Sequence, residues 1–146
     1  MIARFTQDPG PPPLAAHRAL IDRCFAFDMV DEILSALAAD GSDFATETRK
    51  TLLTKAPSSL VLTLCLLRLG RGAPNLEACL EREYHASLAL LAEGDFREGI
   101  RAAVIDKDKH PRWNPPTLDA VDPARIARWL EKRAEPVFSD ARTGAV

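Results

Sequence analysis

The stretch Asn75-Leu76-Glu77-Ala78-Cys79-Leu80-Glu81-Arg82-Glu83-Tyr84-His85-Ala86-Ser87-Leu88-Ala89-Leu90-Leu91 decides the class of the fold. Leu76, Leu80, Tyr84, Leu88 and Leu91 recur at steps of four and three, the spacing by which an amphipathic helix gathers an apolar face. Asn75 suits the opening, because its side-chain oxygen can accept an amide that the first turn leaves unpaired. Gly94 marks the stop.

Beyond this helix, Asp95 and Glu98 have the spacing of a capping box, in which each side chain reaches the other's backbone amide. Ile100, Ala103, Val104 and Ile105 follow as an apolar face. Asp106-Lys107-Asp108-Lys109-His110-Pro111 ends that helix, and Trp113-Asn114-Pro115-Pro116 predicts an extended, irregular segment. Asp122-Pro123 then predicts a cap and first turn for a last helix through Ile126, Trp129 and Leu130.

Before Asn75, a helix is expected from Pro57-Ser58-Ser59 to Gly70. Another, with Phe44, Leu52 and Leu53 apolar, takes Asp43 as its cap and must end before Pro57. Asp28 is the expected cap of a helix that turns Met29, Val30, Ile33, Leu34 and Leu37 inward and stops at Gly41. A first helix starts at Leu14 and carries Leu20, Ile21, Cys24 and Phe25. No alternation long enough for a strand occurs, so the class is all-α with about seven helices and no internal repeat.

Gln7 to Pro13 holds four prolines and a glycine, which excludes regular structure. The expected organisation is a proline-rich linker over 1–13, a helical domain over 14–134 and a flexible tail over 135–146.

The 146 residues are 47% hydrophobic and 27% charged, a globular balance with length enough for a core. A formal charge of −2 leaves no basic field for a phosphate backbone, so no nucleic-acid partner is expected. The longest apolar run, Leu60 to Leu69, contains Arg68 and is about half the roughly 20 residues of a membrane span. No membrane partner is expected either. Met1 to Gly10 offers one Arg and no apolar segment, so the expected home is cytoplasmic and bacterial-type, without a signal or transit peptide.

A catalytic centre needs converging groups, and the familiar constellations are missing. There is no G-x-S-x-G, H-E-x-x-H, Walker loop or G-x-G-x-x-G. His17, His85 and His110 stand apart, and pairs such as Glu81 with Glu83 or Asp106 with Asp108 read as surface charge in a chain with 21 acids. Cys24, Cys65 and Cys79 fit neither a metal knuckle nor a disulfide framework, so no metal site is expected.

One segment asks for more than amphipathic packing. Asp95-Phe96-Arg97-Glu98-Gly99-Ile100-Arg101-Ala102-Ala103-Val104-Ile105-Asp106-Lys107-Asp108, followed by Pro111-Arg112-Trp113-Asn114-Pro115, resembles the C-terminal signature of the 3-hydroxyisobutyryl-CoA hydrolase family. That family is a branch of the enoyl-CoA hydratase/isomerase (crotonase) superfamily. Lys55-Ala56-Pro57-Ser58-Ser59-Leu60 is similar to the family's K-S-P-T-S-L helix start, and Leu80-Glu81-Arg82-Glu83-Tyr84 to its L-x-x-E-Y-R-L helix. Ile21-Asp22-Arg23-Cys24-Phe25 with Val30-Asp31-Glu32-Ile33 is similar to the helical region just after the family's catalytic core. The likeness runs in order over residues 14 to 121. It departs at Val61 and Cys65, where the family usually has Lys and Arg, and at His85-Ala86 in place of Arg-Leu.

The resemblance implies the C-terminal helical part of a crotonase-like enzyme without its β-rich spiral core, which in the family holds the oxyanion hole and the catalytic acids. The implied parent is an acyl-CoA thioester hydrolase of valine catabolism, with an enoyl-CoA hydratase/isomerase or a stand-alone, non-catalytic helical interaction module as alternatives. The part itself is expected to cover the active site or mediate subunit packing and to be inactive alone, with no catalytic residue. Its implied partner is the missing core, in cis or in trans, with a homo-oligomer also possible. No cofactor is implied, since coenzyme A belongs to the parent's substrate. Arg101 and Lys107 are the residues that the resemblance places near the coenzyme A phosphates, where a cation would be electrostatically favoured.

Overall fold

A computed structural model of the chain describes residues 10–131. A 3₁₀ turn at Pro13–His17 leads into α1 (Arg18–Cys24), α2 (Val30–Asp40), α3 (Asp43–Leu53), α4 (Pro57–Gly70) and α5 (Leu76–Glu93). After it come α6 (Asp95–Ile100), continued as a π-helical turn at Arg101–Ile105, and α7 (Pro123–Leu130). Among the described residues the all-α class therefore holds, with seven α-helices and no strand. Only Gly10, Pro11 and Pro12 of the expected linker's irregular part fall inside the described range, and the expected tail over 135–146 lies outside it.

The centre of the fold is α4, and its sequence explains why. Leu60, Leu62, Leu64 and Leu66 point different ways around a helix, so an element apolar on several sides must be covered on several sides. Leu64 joins Cys24, Val30, Ile33, Leu34, Leu37 and Ala45, a cluster made with α1 to α3. Leu62 joins Ala86, Ala89, Ile126 and Trp129, a cluster made with α5 and α7. Leu37 is 0% and Leu62 1% exposed, which identifies the two clusters' anchors.

Local signals place the helix ends with some substitutions of residue. Asn75 Oδ1 accepts the Ala78 amide at 2.9 Å, and Asp122 Oδ1 that of Ala124 at 2.9 Å with Pro123 in the first turn, as expected. Gly41 and Gly94 close α2 and α5 with φ of 68° and 102°, in the left-handed region where a Cβ is strained. Two expected caps differ. Ser42, not Asp43, caps α3, its Oγ accepting the Ala45 amide at 3.3 Å, because Asp43 already lies in the first turn.

Asp28 is the other. The residue before α2 is Met29, with no side-chain cap, and the Asp28 carboxylate instead accepts from Arg68 Nε at 2.7 Å. The same guanidinium donates to the Phe25 carbonyl at 2.8 Å and to that of Phe27 at 2.5 Å. Arg68, the one charge in the apolar run of α4, thus satisfies carbonyls between α1 and α2 that have no helical partner.

Candidate functional site

The leucine stripe of α5 faces away from the body of the domain. Leu76 is 69% exposed, Tyr84 48% and Leu91 46%, with Leu80 and Leu88 also exposed, while His85, Ala86 and Ala89 on the opposite face are buried. A helix whose large apolar side chains point outward and whose small ones point inward is oriented for a partner as well as for its own core. Phe96, Ile100, Val104 and Ile105 on the next helix are exposed too. Among the described residues, 15 large apolar side chains are exposed and 14 apolar residues are buried, so this domain does not close over its own hydrophobic surface.

Between the start of α4 and α6 this surface dips into a groove of about 390 Å³. Phe96, Ile100 and Val104 form one wall, and Lys55, Ser59 and Trp113 stand around it. The acid at its base is Asp95, 6% exposed. Its Oδ1 accepts the Asn114 amide at 2.9 Å, while Oδ2 is buried with no partner among the described residues.

The expected capping box does not form here. Gly94 occupies the cap position, and both acids serve the segment that returns past the helix. Glu98 Oε1 accepts the Arg112 amide at 2.7 Å, two residues before the one held by Asp95. Asp95 lies inside the first turn rather than before it, so its carboxylate cannot turn back to the free amides and meets the passing backbone instead. Trp113, between the two anchored amides, donates from Nε1 to the Thr54 carbonyl at 3.2 Å. Its ring lies so close to α6 that a Cβ at Gly99 would sit 3.4 Å from the Trp113 side chain.

Arg101 is the hub of this segment. Nε and an η nitrogen each donate to the Glu98 carboxylate at 2.8 Å, and the other η nitrogen reaches Asp106 at 2.5 Å and Asp108 at 2.7 Å. The Arg101 guanidinium, with the Arg112 amide second, pulls the Glu98 carboxyl down to about 2. Asp108 is lowered chiefly by the same guanidinium, and three carboxylates raise Arg101 in turn. Lys107 and Lys109 take left-handed φ of 57° and 59°, folding the Asp106 to His110 loop around Arg101. Of the two residues expected at coenzyme A, Arg101 is thus surrounded by acids, whereas exposed Lys107 makes no ion pair among the described residues.

Sequence reasoning missed the groove and the free oxygen of Asp95, having read that acid as a cap. The available signal was that two acids three apart, followed by a proline-bracketed tryptophan, can hold a second strand of backbone as readily as their own helix. Among the described residues no group of three or more His, Cys, Asp or Glu is placed to hold a metal. No single helix among them is long and apolar enough to cross a membrane.

A family model described as enoyl-CoA hydratase/isomerase matches residues 1–130. The mitochondrial 3-hydroxyisobutyryl-CoA hydrolase of Dictyostelium discoideum is 41% identical over 112 residues, which cover 76% of this chain and 29% of that protein. The human mitochondrial enzyme of the same name is 41% identical over 108 residues, 74% of this chain and 28% of the relative. The match is to a C-terminal part of these proteins, so the chain spans about three tenths of their length.

Among solved structures, a carnitinyl-CoA dehydratase from Mycobacterium thermoresistibile aligns with a TM-score of 0.83 and 32% identity, covering 92% of this chain and 38% of that one. An enoyl-CoA hydratase from Rhodobacter sphaeroides 2.4.1 aligns with a TM-score of 0.76 and 36% identity, covering 88% of this chain and 40% of that one. The resemblance to the hydrolase family thus holds. The expected cytoplasmic, bacterial-type home does not, since these hydrolase relatives are named as mitochondrial. A segment that aligns with the C-terminal part of longer proteins is no place to read a leader.

Proposed function

Because the chain belongs to the enoyl-CoA hydratase/isomerase family, we propose that it is the C-terminal helical portion of a 3-hydroxyisobutyryl-CoA hydrolase-like thioester hydrolase. It covers the enzyme's core and is inactive without it. The observation that carries this reading is the outward leucine stripe of α5, a large apolar face left exposed among the described residues. The hydrolase rather than the hydratase branch is supported by the curated relatives at 41% identity and by the Asp106-Lys107-Asp108 and Pro111-x-Trp113-x-Pro115 sequence pattern.

In this reading the helices contribute packing and one electrostatic contact. Arg101 shapes the Asp106 to His110 loop through its acids, and Lys107, carried out on that loop, meets a coenzyme A phosphate. No side chain here attacks the thioester or moves a proton.

The test is a chimera: the Dictyostelium discoideum hydrolase with its matched C-terminal segment replaced by this chain, assayed for thiol release from 3-hydroxyisobutyryl-CoA. The expected result is hydrolysis by the chimera and none by the chain alone. A folded chimera without turnover, or turnover by the chain alone, overturns the proposal.

A further inference from the structure

The groove at Asp95 pairs an exposed apolar wall with a buried acceptor. Phe96 is 53% exposed and Val104 63%, whereas Asp95 is 6% exposed with Oδ2 unpartnered. An unsatisfied buried oxygen carries the full cost of its desolvation, and native folds relieve that cost with a donor. The nearby Asn114 amide already serves Oδ1 and the Trp113 Nε1–H serves Thr54, so neither is left for Oδ2. The open side of the groove is where a further donor can enter.

Apolar chemistry dominates the lining, with Lys55 and Ser59 as the other polar residues beside Asp95. An occupant must therefore offer an apolar side chain to Phe96, Ile100 and Val104 and an N–H or O–H to Asp95. A carboxylate or phosphate is disfavoured at the base by the Asp95 charge. A neutral polypeptide segment meets both demands, and the chain covers only 29% of its hydrolase relative and 38% of a solved neighbour. Most of such an enzyme thus lies outside this domain.

We propose that the groove is a socket for the enzyme's preceding core, taking one apolar side chain on a segment whose N–H or O–H donates to Oδ2 of Asp95. The inference rests on the reading of this chain as the C-terminal part of a larger enzyme. It locates the interface at Asp95 rather than leaving it spread over the apolar face.

Two substitutions test the socket in the chimera and in the chain alone. Asp95→Asn keeps an oxygen for the Asn114 amide and replaces the free acceptor by a donor. Ala103→Trp, at an exposed position of the lining, fills the groove without touching any hydrogen bond named above. Each is expected to lower the chimera's unfolding midpoint by about 5 °C and the midpoint of the chain alone by less than about 1 °C.

Equal shifts in both proteins make Asp95 a purely internal support and overturn the socket. No shift in the active chimera does the same while leaving the parent reading intact. A folded but inactive wild-type chimera removes that reading and the socket with it. Binding of coenzyme A to the chain alone that Asp95→Asn weakens assigns the groove to a small ligand and also overturns the proposal.

Discussion

Glu98 accepts the backbone amide of Arg112 at 2.7 Å across 14 residues of chain, while its other oxygen is held by Arg101. One carboxylate thereby joins a helix, a loop and a returning segment. Its low pKa is the signature of that arrangement.

The first prediction is a pH dependence. The Glu98 carboxyl titrates at about 2 in the fold against 4.5 as the ordinary value. A depressed folded pKa contributes stability that is present above the unfolded pKa and lost as pH falls through the folded one. Thermal melting of wild type and Glu98→Gln should therefore differ above pH 4.5, and the gap should close as pH falls towards 2. A gap that is constant over this window contradicts the ion pair.

Core anchors and stripe residues should separate cleanly. Leu37→Ala, at a position 0% exposed, is expected to cost about 2–5 kcal/mol in denaturant unfolding. Leu80→Ala, 42% exposed on the stripe, should stay within about 0.5 kcal/mol in the chain alone.

The stripe should govern association. The isolated chain is expected to self-associate through the exposed stripe by light scattering, and Leu80→Lys with Leu88→Lys to make it monomeric and to lower the thermal stability of the chimera. A chimera melting unchanged would show that the stripe meets no core.

The tryptophan segment is tested by Trp113→Phe, which removes the bond to the Thr54 carbonyl and also the outer indole edge that lies over Gly99 of α6. The expected loss is at least about 0.5–1.5 kcal/mol in denaturant unfolding. Gly99→Leu should cost more, since its side chain would overlap the Trp113 ring.

Arg101 and Lys107 should part in their readouts. Arg101→Ala is expected to lower the melting midpoint of the chain, because Glu98, Asp106 and Asp108 lose their common partner. Lys107→Ala should leave that midpoint unchanged and raise the chimera's Kd for coenzyme A about three- to tenfold by calorimetry. Unchanged affinity would remove Lys107 from the phosphate.

Some features were fully legible in the residues. Asn75, Asp122-Pro123, Gly41 and Gly94 act within one turn of themselves, so their identity alone determined where helices begin and end. The all-α class followed from periods of three and four, and the family from the Asp95 to Pro115 string. Tertiary structure decided what lies beyond a turn's reach. Asp28, Asp95 and Glu98 each had a local use as a cap, and each meets a group distant in the chain: Arg68, the Asn114 amide and the Arg112 amide. The α5 stripe makes the same point for apolar groups. Periodicity establishes that a helix has an apolar face, but burial depends on what packs there, and in this domain the small residues Ala86 and Ala89 face inward while the leucines face out.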